Sequence, residues 1–129
     1  MAMGIDGIVM SKHNQVPLTP TVRRIAQGAA ERLPILQVKN LNQWLKKQKE
    51  NGYWLYGASA YADVSITQQT FDKKSILIVG SEGGGMRKSI ISQCDFTVRI
   101  PTLSTFPSLN VTQATAMLVY AYRSQYPLS

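Results

Sequence analysis

The sequence predicts an α/β domain with a largely parallel sheet flanked by helices. Two observations carry that expectation. Short apolar runs alternate along the chain with stretches whose apolar residues recur at helical spacing, the order a parallel sheet requires. The clearest of these runs, Ser75-Ile76-Leu77-Ile78-Val79, leads straight into a glycine-rich turn, as a central buried strand does when a helix follows it.

Taken in order, Gly7 to Met10 reads as the first buried strand. Thr19-Pro20 places an N-cap before a proline at the first helical position, and Val22, Ile25, Ala26 and Ala29 mark the apolar face of a helix closed by Pro34. Ile35 to Val38 is a second strand. Asn40 can cap a helix whose apolar face is Leu41, Trp44 and Leu45, with Lys46, Lys47 and Lys49 towards water, and Asn51-Gly52 ends it. A strand at Tyr53 to Tyr56 precedes a loop opening at Gly57-Ala58-Ser59. After the strand Ser75–Val79 come a short helix from Met86 to Gln93, a strand from Thr97 to Ile100 and a loop from Pro101 to Pro107. The last helix, Val111 to Arg123, is apolar on nearly every side, which predicts burial between the sheet and a second subunit.

Length and composition narrow the class. A chain of 129 residues accommodates one domain, 1–129, with one core. Hydrophobic residues at 44% and charged residues at 16% describe a globular chain rather than a disordered one. No apolar run approaches the ~18–20 residues of a membrane span, and Met1 to Asp6 lacks the pattern of a secretory signal. A single cysteine, Cys94, excludes an internal disulfide and a Cys-rich zinc site; with one histidine, His13, no metal is expected. A reducing, cytoplasmic setting follows. The net charge of +7 favours a polyanionic partner, RNA or DNA, because each neutralised phosphate releases counterions; acidic membranes and proteins feel the same field.

The stretch Gly80-Ser81-Glu82-Gly83-Gly84-Gly85-Met86-Arg87-Lys88-Ser89 offers the most chemistry. Glycines there let a ligand approach the backbone closely, and a strand, turn and helix start together suit nucleotide-like ligands. Two familiar nucleotide motifs fail on inspection. A phosphate loop needs lysine directly after its second glycine, where Met86 stands, and a dinucleotide motif begun at Gly83 needs glycine where Lys88 stands. A purely structural turn stays open on these residues alone.

Two signatures together, Gly80-Ser81-Glu82-Gly83-x-Gly85 and, about twenty residues on, Ile100-Pro101 with Ser108-Leu109-Asn110-Val111, resemble motifs two and three of the SpoU (TrmH-like) RNA 2'-O-ribose methyltransferases. Ala2 to Gly7, Pro17 to Arg23 and Gly28 to Glu31 are similar to the same regions of bacterial enzymes that methylate a guanosine of large-subunit ribosomal RNA. The resemblance implies a SPOUT fold with a C-terminal deep trefoil knot, working as a homodimer. It also implies S-adenosylmethionine as cofactor, held by backbone groups at Gly80, Ile100 and Leu109, with the loop at Gly57 completing the pocket. Glu82, Ser108 and Asn110 match the polar active-site positions. Each can equally satisfy backbone groups in a tight crossing.

Other residues carry less. Arg23, Arg24, Arg87 and Lys88 flank the expected site and are candidates for RNA phosphates. His13 lies in a polar stretch and reads as solvated or RNA-contacting rather than as a catalytic base. Cys94 reads as a small buried hydrophobe without an activating base, and Lys46, Lys47 and Lys49 as a solvated helix face.

The resemblance has departures. The N-x-G-x-x-x-R segment that precedes A-x-G-x-D-G in the family does not occur, so the catalytic domain is expected to be N-terminally incomplete, without its first strand and helix. The arginine of that segment is the family residue that activates the ribose hydroxyl, so the chain alone is expected to bind cofactor weakly and methylate RNA negligibly. Thr102-Leu103-Ser104-Thr105 and Thr112-Gln113 also replace the usual residues of motif three. Two functions remain in view: an RNA methyltransferase, or a non-catalytic RNA-binding or ribosome-assembly protein that keeps the fold.

Overall fold

A computed structural model describes residues 8–11, 35–59, 62–80, 88–100 and 111–127. Within them the order is β1 Ile8–Ser11, β2 Ile35–Val38, α1 Leu41–Glu50, β3 Trp54–Ala58, β4 Ser75–Ile78, α2 Lys88–Ile91, β5 Phe96–Val98 and α3 Val111–Gln125. Every strand pairing among the described residues is parallel. β1 pairs with β2 from Ile8↔Ile35 to Ser11↔Val38. The second sheet has the order β4-β3-β5, so the chain leaves β3 for one neighbour and crosses back for the other. The expected helix between Thr19 and Pro34 and the loop from Pro101 to Pro107 lie outside the described residues.

Local chemistry explains the boundaries of α1. Asn40 is extended, and its side-chain oxygen accepts the Gln43 N–H at 3.0 Å, satisfying one of the orphan donors of the first turn. Lys47 and Lys49 stand in the last turn, where cations meet the negative end of the helix. The helix then reverses through Gly52 at φ +93°, with the Gly52 N–H on the Lys49 carbonyl and the Tyr53 N–H on that of Gln48.

The sheet is covered on both faces, with alternate residues of each strand assigned to opposite sides. Leu55, Ile76 and Ile78 pack with Leu41, Trp44 and Leu45 of α1, Ile90 of α2 and Cys94. Ala58, Leu77, Val79 and Val98 pack with Leu118 and Ala121 of α3 and with Ile66. Leu55, Val98 and Leu118 are fully buried, each worth about 1.5–3 kcal/mol of transfer free energy.

Several boundaries differ from expectation, β1 running on to Ser11 and β4 stopping at Ile78 among them. β3 runs to Ala58, through the Gly57 expected to open a loop, because both neighbours pair there: Gly57 faces Ile78 on one side and Thr97 on the other. β5 is Phe96–Val98 rather than Thr97–Ile100; Arg99 bridges instead to Ser65. α2 spans only Lys88–Ile91, and Ser92-Gln93 form a turn. α3 continues to Gln125, with one side on the sheet and the other open in the single chain. Leu118 and Val119 face inwards, while Met117 and Tyr120 are 41% and 66% exposed, since one side alone meets the sheet.

Candidate functional site

Parallel strands all end on one side of their sheet, and a crevice opens there where successive connections leave in opposite directions. β3 is the strand at which that happens here. Three of the expected cofactor positions fall at this end. Gly57 lies in the last rows of the ladder, buried between Ile78 and Thr97. Gly80 is half-buried two residues beyond Ile78, and Ile100 half-buried two residues beyond Val98.

Main-chain hydrogen bonds hold this end. The Ser59 N–H donates to the Val98 carbonyl at 2.9 Å, so the chain leaving β3 stays fastened to β5. The segment then turns back: the Arg99 N–H donates to the Val64 carbonyl at 2.7 Å, and the Ile66 N–H to the Arg99 carbonyl at 2.9 Å. Ser65 is buried, its hydroxyl 2.9 Å from that of Thr67. Ile100, next along, packs against the cluster of Ile66, Val98 and Leu118, which fixes its apolar side chain against the core. A site with two glycines and an anchored aliphatic side chain suits a ligand that approaches the backbone and presents one apolar face. No buried side-chain nitrogen or oxygen among the described residues lacks a partner.

Glu82, Ser108, Leu109 and Asn110 lie outside the described residues, as do Arg23, Arg24, Arg87 and His13. Lys88 is exposed at the start of α2. Cys94 is half-buried and directs its thiol at the Ile90 carbonyl; burial, and then Asp95, push its pKa up to about 11. That is the reverse of what a nucleophile requires. Among the described residues no group of three His, Cys, Asp or Glu side chains could hold a metal, and no helix is long and apolar enough to cross a membrane.

Sequence reasoning missed three features. Lys49 is not merely solvated: its ammonium lies 3.4 Å from Asp95 and donates to the Gln93 carbonyl at 2.9 Å. Asp95 in turn accepts the Leu55 N–H at 2.8 Å, while its own N–H donates to the Leu55 carbonyl. An open groove of about 700 Å³ runs between α1 and α2, lined by Asn42, Lys46, Lys49, Glu50, Ser89, Ser92 and Gln93; none of the expected site residues lines it. Lastly, a run of aromatic rings crosses the amino end of the sheet. It passes from Tyr126 and Tyr122 through Phe71, Tyr56 and Phe96 to Trp54, with centroids 4.7–6.3 Å apart.

A parallel α/β sheet with glycines at the carboxyl ends of its strands is the arrangement of many nucleotide-type binding folds, and the particular family follows from comparison. Residues 1–120 match the SpoU rRNA Methylase family, and the chain belongs to it. A curated relative, the 23S rRNA (guanosine-2'-O-)-methyltransferase RlmB of Pseudomonas syringae pv. tomato, is 38% identical over 92% of this chain and 48% of its own. The SpoU methyltransferase AviRb of Streptomyces viridochromogenes, solved in complex with the cofactor AdoMet, is 25% identical; the match has a TM-score of 0.79 and covers 99% of this chain and 51% of that one. The TrmH/SpoU tRNA modifying enzyme of A. aeolicus shares the fold at 24% identity, with a TM-score of 0.78 over 96% of this chain and 63% of that chain. The chain thus spans about half the length of the curated relatives it matches.

Proposed function

We propose that the chain is the S-adenosylmethionine-binding part of a SpoU-type RNA 2'-O-ribose methyltransferase acting on a guanosine of large-subunit ribosomal RNA in the cytoplasm. Residues 1–129 belong to one catalytic domain that lacks its first strand and helix and whose C-terminal segment is knotted. One observation supports the reading: Gly80 and Ile100, picked out by motif position, and Gly57, read from the loop expected after β3, each lie at the carboxyl end of one of three adjoining parallel strands. Family membership and the guanosine-2'-O activity named for the RlmB relative support it.

The backbone at Gly57, Gly80 and Leu109 would hold the cofactor, and Ile100 would lie against the adenine. When bound, S-adenosylmethionine supplies an electrophilic methyl group. The chain's part is to hold a ribose hydroxyl in line with that methyl and to exclude water, a positioning effect that contributes several kcal/mol in enzymes generally. Glu82, Ser108 and Asn110 orient the nucleotide, and Arg23, Arg24, Arg87 and Lys88 take its phosphates. No metal enters. The exposed face of α3 around Met117 and Tyr120 forms the contact between two copies.

Calorimetry with S-adenosylhomocysteine tests the assignment on the 129-residue chain and its Gly80→Val variant. A side chain at Gly80 closes the approach, so a loss of at least tenfold is expected. Equal affinity for both proteins would sink the reading.

A further inference from the structure

The aromatic run described above has a buried interior and an exposed end. Tyr56 and Phe71 are 2% and 1% exposed, whereas Trp54 and Phe96, stacked at 6.1 Å, are 44% and 41% exposed. Two half-open rings at the start of neighbouring strands are more than the sheet requires, because Tyr56 and Phe71 already complete the core on this side. Two exposed lysines adjoin the strand in backbone: the Trp54 N–H donates to the Lys74 carbonyl at 2.9 Å, and Trp54 is in register with Ser75, so the main chain of Lys73 and Lys74 leads in beside that of Trp54, with the Lys74 ammonium 3.4 Å from the Asn51 carbonyl. Lys74 extends over the Tyr53 ring, 5.5 Å from its centroid. The Tyr122 hydroxyl donates to the Lys73 carbonyl at 2.6 Å, which fastens the lysine pair to α3. Asp72 is the described acid adjoining the pair in sequence, and its carboxylate turns back to accept the Lys74 N–H at 2.9 Å.

We propose that Trp54 and Phe96, flanked by Lys73 and Lys74, form a stacking platform for unpaired bases of RNA. Every base offers a π-face to an aromatic ring, and cations alongside neutralise the adjoining phosphates; rings and charges together separate a nucleic-acid surface from a protein-binding apolar patch. The net charge of +7 points the same way. The platform sits at the amino ends of β3 and β5, while the cofactor crevice is at their carboxyl ends, ~13 Å away along β3 at the usual rise per residue. It is therefore a second contact, which holds flanking RNA while the target nucleotide lies elsewhere. This inference rests on the RNA-directed reading above, but not on the cofactor site.

The test uses the 129-residue chain with labelled oligoadenylate, and with a blunt RNA duplex of equal length. Anisotropy should show preference for the single strand. Trp54→Ala should weaken single-strand binding about five- to hundredfold, and Trp54→Phe should retain most of it. Lys73→Ala with Lys74→Ala should lower the slope of log affinity against log salt by about one to two units. Trp44 is the other of the two tryptophans, so in a Trp44→Phe background oligoadenylate should quench the emission of Trp54 directly, which needs no disruptive variant. Unquenched emission, unchanged affinity in a folded Trp54→Ala protein, or conversion of a dimer to a monomer by that substitution would each overturn the platform. Loss of S-adenosylhomocysteine binding with quenching intact would instead overturn the cofactor assignment alone.

Discussion

The two ends of the three-stranded sheet are made of different materials. At the carboxyl end the fastenings are main chain to main chain: Ser59 to Val98, Arg99 to Val64 and Ile66 to Arg99, with Gly57 and Gly80 among them. At the amino end side chains reach across long sequence distances to fix backbone. The Gln125 amide accepts the Phe71 N–H and donates to the Gln69 carbonyl, the Tyr126 hydroxyl donates to the Phe71 carbonyl, and the Tyr56 hydroxyl accepts the Asp72 N–H. The difference is instructive. An end built from backbone leaves room for a ligand where side chains are missing, and an end built from rings and amides gains rigidity from bulk.

The strongest way to break the contrast is to attack what both ends share. Leu55 is wholly buried on the central strand, and Leu55→Ala is expected to cost about 2–5 kcal/mol in urea denaturation. A value under 1 kcal/mol would show that the sheet is not one cooperative unit.

Asp95 separates side-chain from main-chain support more finely. Asp95→Ala leaves the Leu55 N–H without its carboxylate and should cost about 1–3 kcal/mol, whereas Lys49→Ala, which removes a half-exposed ion pair, should cost less than about 1 kcal/mol. Equal losses would mean that the ion pair, rather than the bond to backbone, matters.

The strap from α3 should be local. Gln125→Ala is expected to remove about 1 kcal/mol and to speed amide exchange at Phe71 while leaving Ser59 and Arg99 protected. Matching acceleration at both ends would erase the distinction drawn between them.

The smallest effect is alkaline. The Cys94 thiol has a folded pKa of about 11 against 9.0, so the fold favours the protonated form. Its contribution is complete below pH ~9 and is lost as pH rises through ~11. Tyr56 is raised as well, by burial, and adds in the same direction. Cys94→Ala should flatten part of the fall in urea midpoint between those values, and an unaltered profile would exclude the thiol from it.

What could be read from the sequence was what is written locally. The caps of α1, its Leu41-Trp44-Leu45 face and the parallel strands at β2 and β4 all follow from spacing within a few residues, and the structure bears them out. Gly57 misled, because a glycine inside a strand looks like a turn until both neighbours are known. The Asp95–Leu55 clip and the straps from Tyr122, Gln125 and Tyr126 join residues roughly forty to fifty-six positions apart and leave no periodic trace. For the site, motif position singled out Gly80 and Ile100, which the structure sets just beyond the ends of β4 and β5, while Gly57 was read only from the loop expected after β3. Lys49 and the Trp54–Phe96 pair could have been found only by asking which side chains outlast the demands of the core.

The bridge between Ser65 and Arg99 decides what the margin of the sheet can accept. Among the described residues β5 is the outer strand of its sheet, and an outer strand with free amides and carbonyls invites a stranger's strand to dock and the sheet to grow. Here the chain's own returning segment takes the Arg99 N–H and carbonyl for itself, for one residue only, before turning away. A contact too short to count as a strand is still long enough to occupy the template. At Arg99 the margin of the sheet is thereby closed to a foreign strand, which would have to displace the chain's own segment before it could pair there.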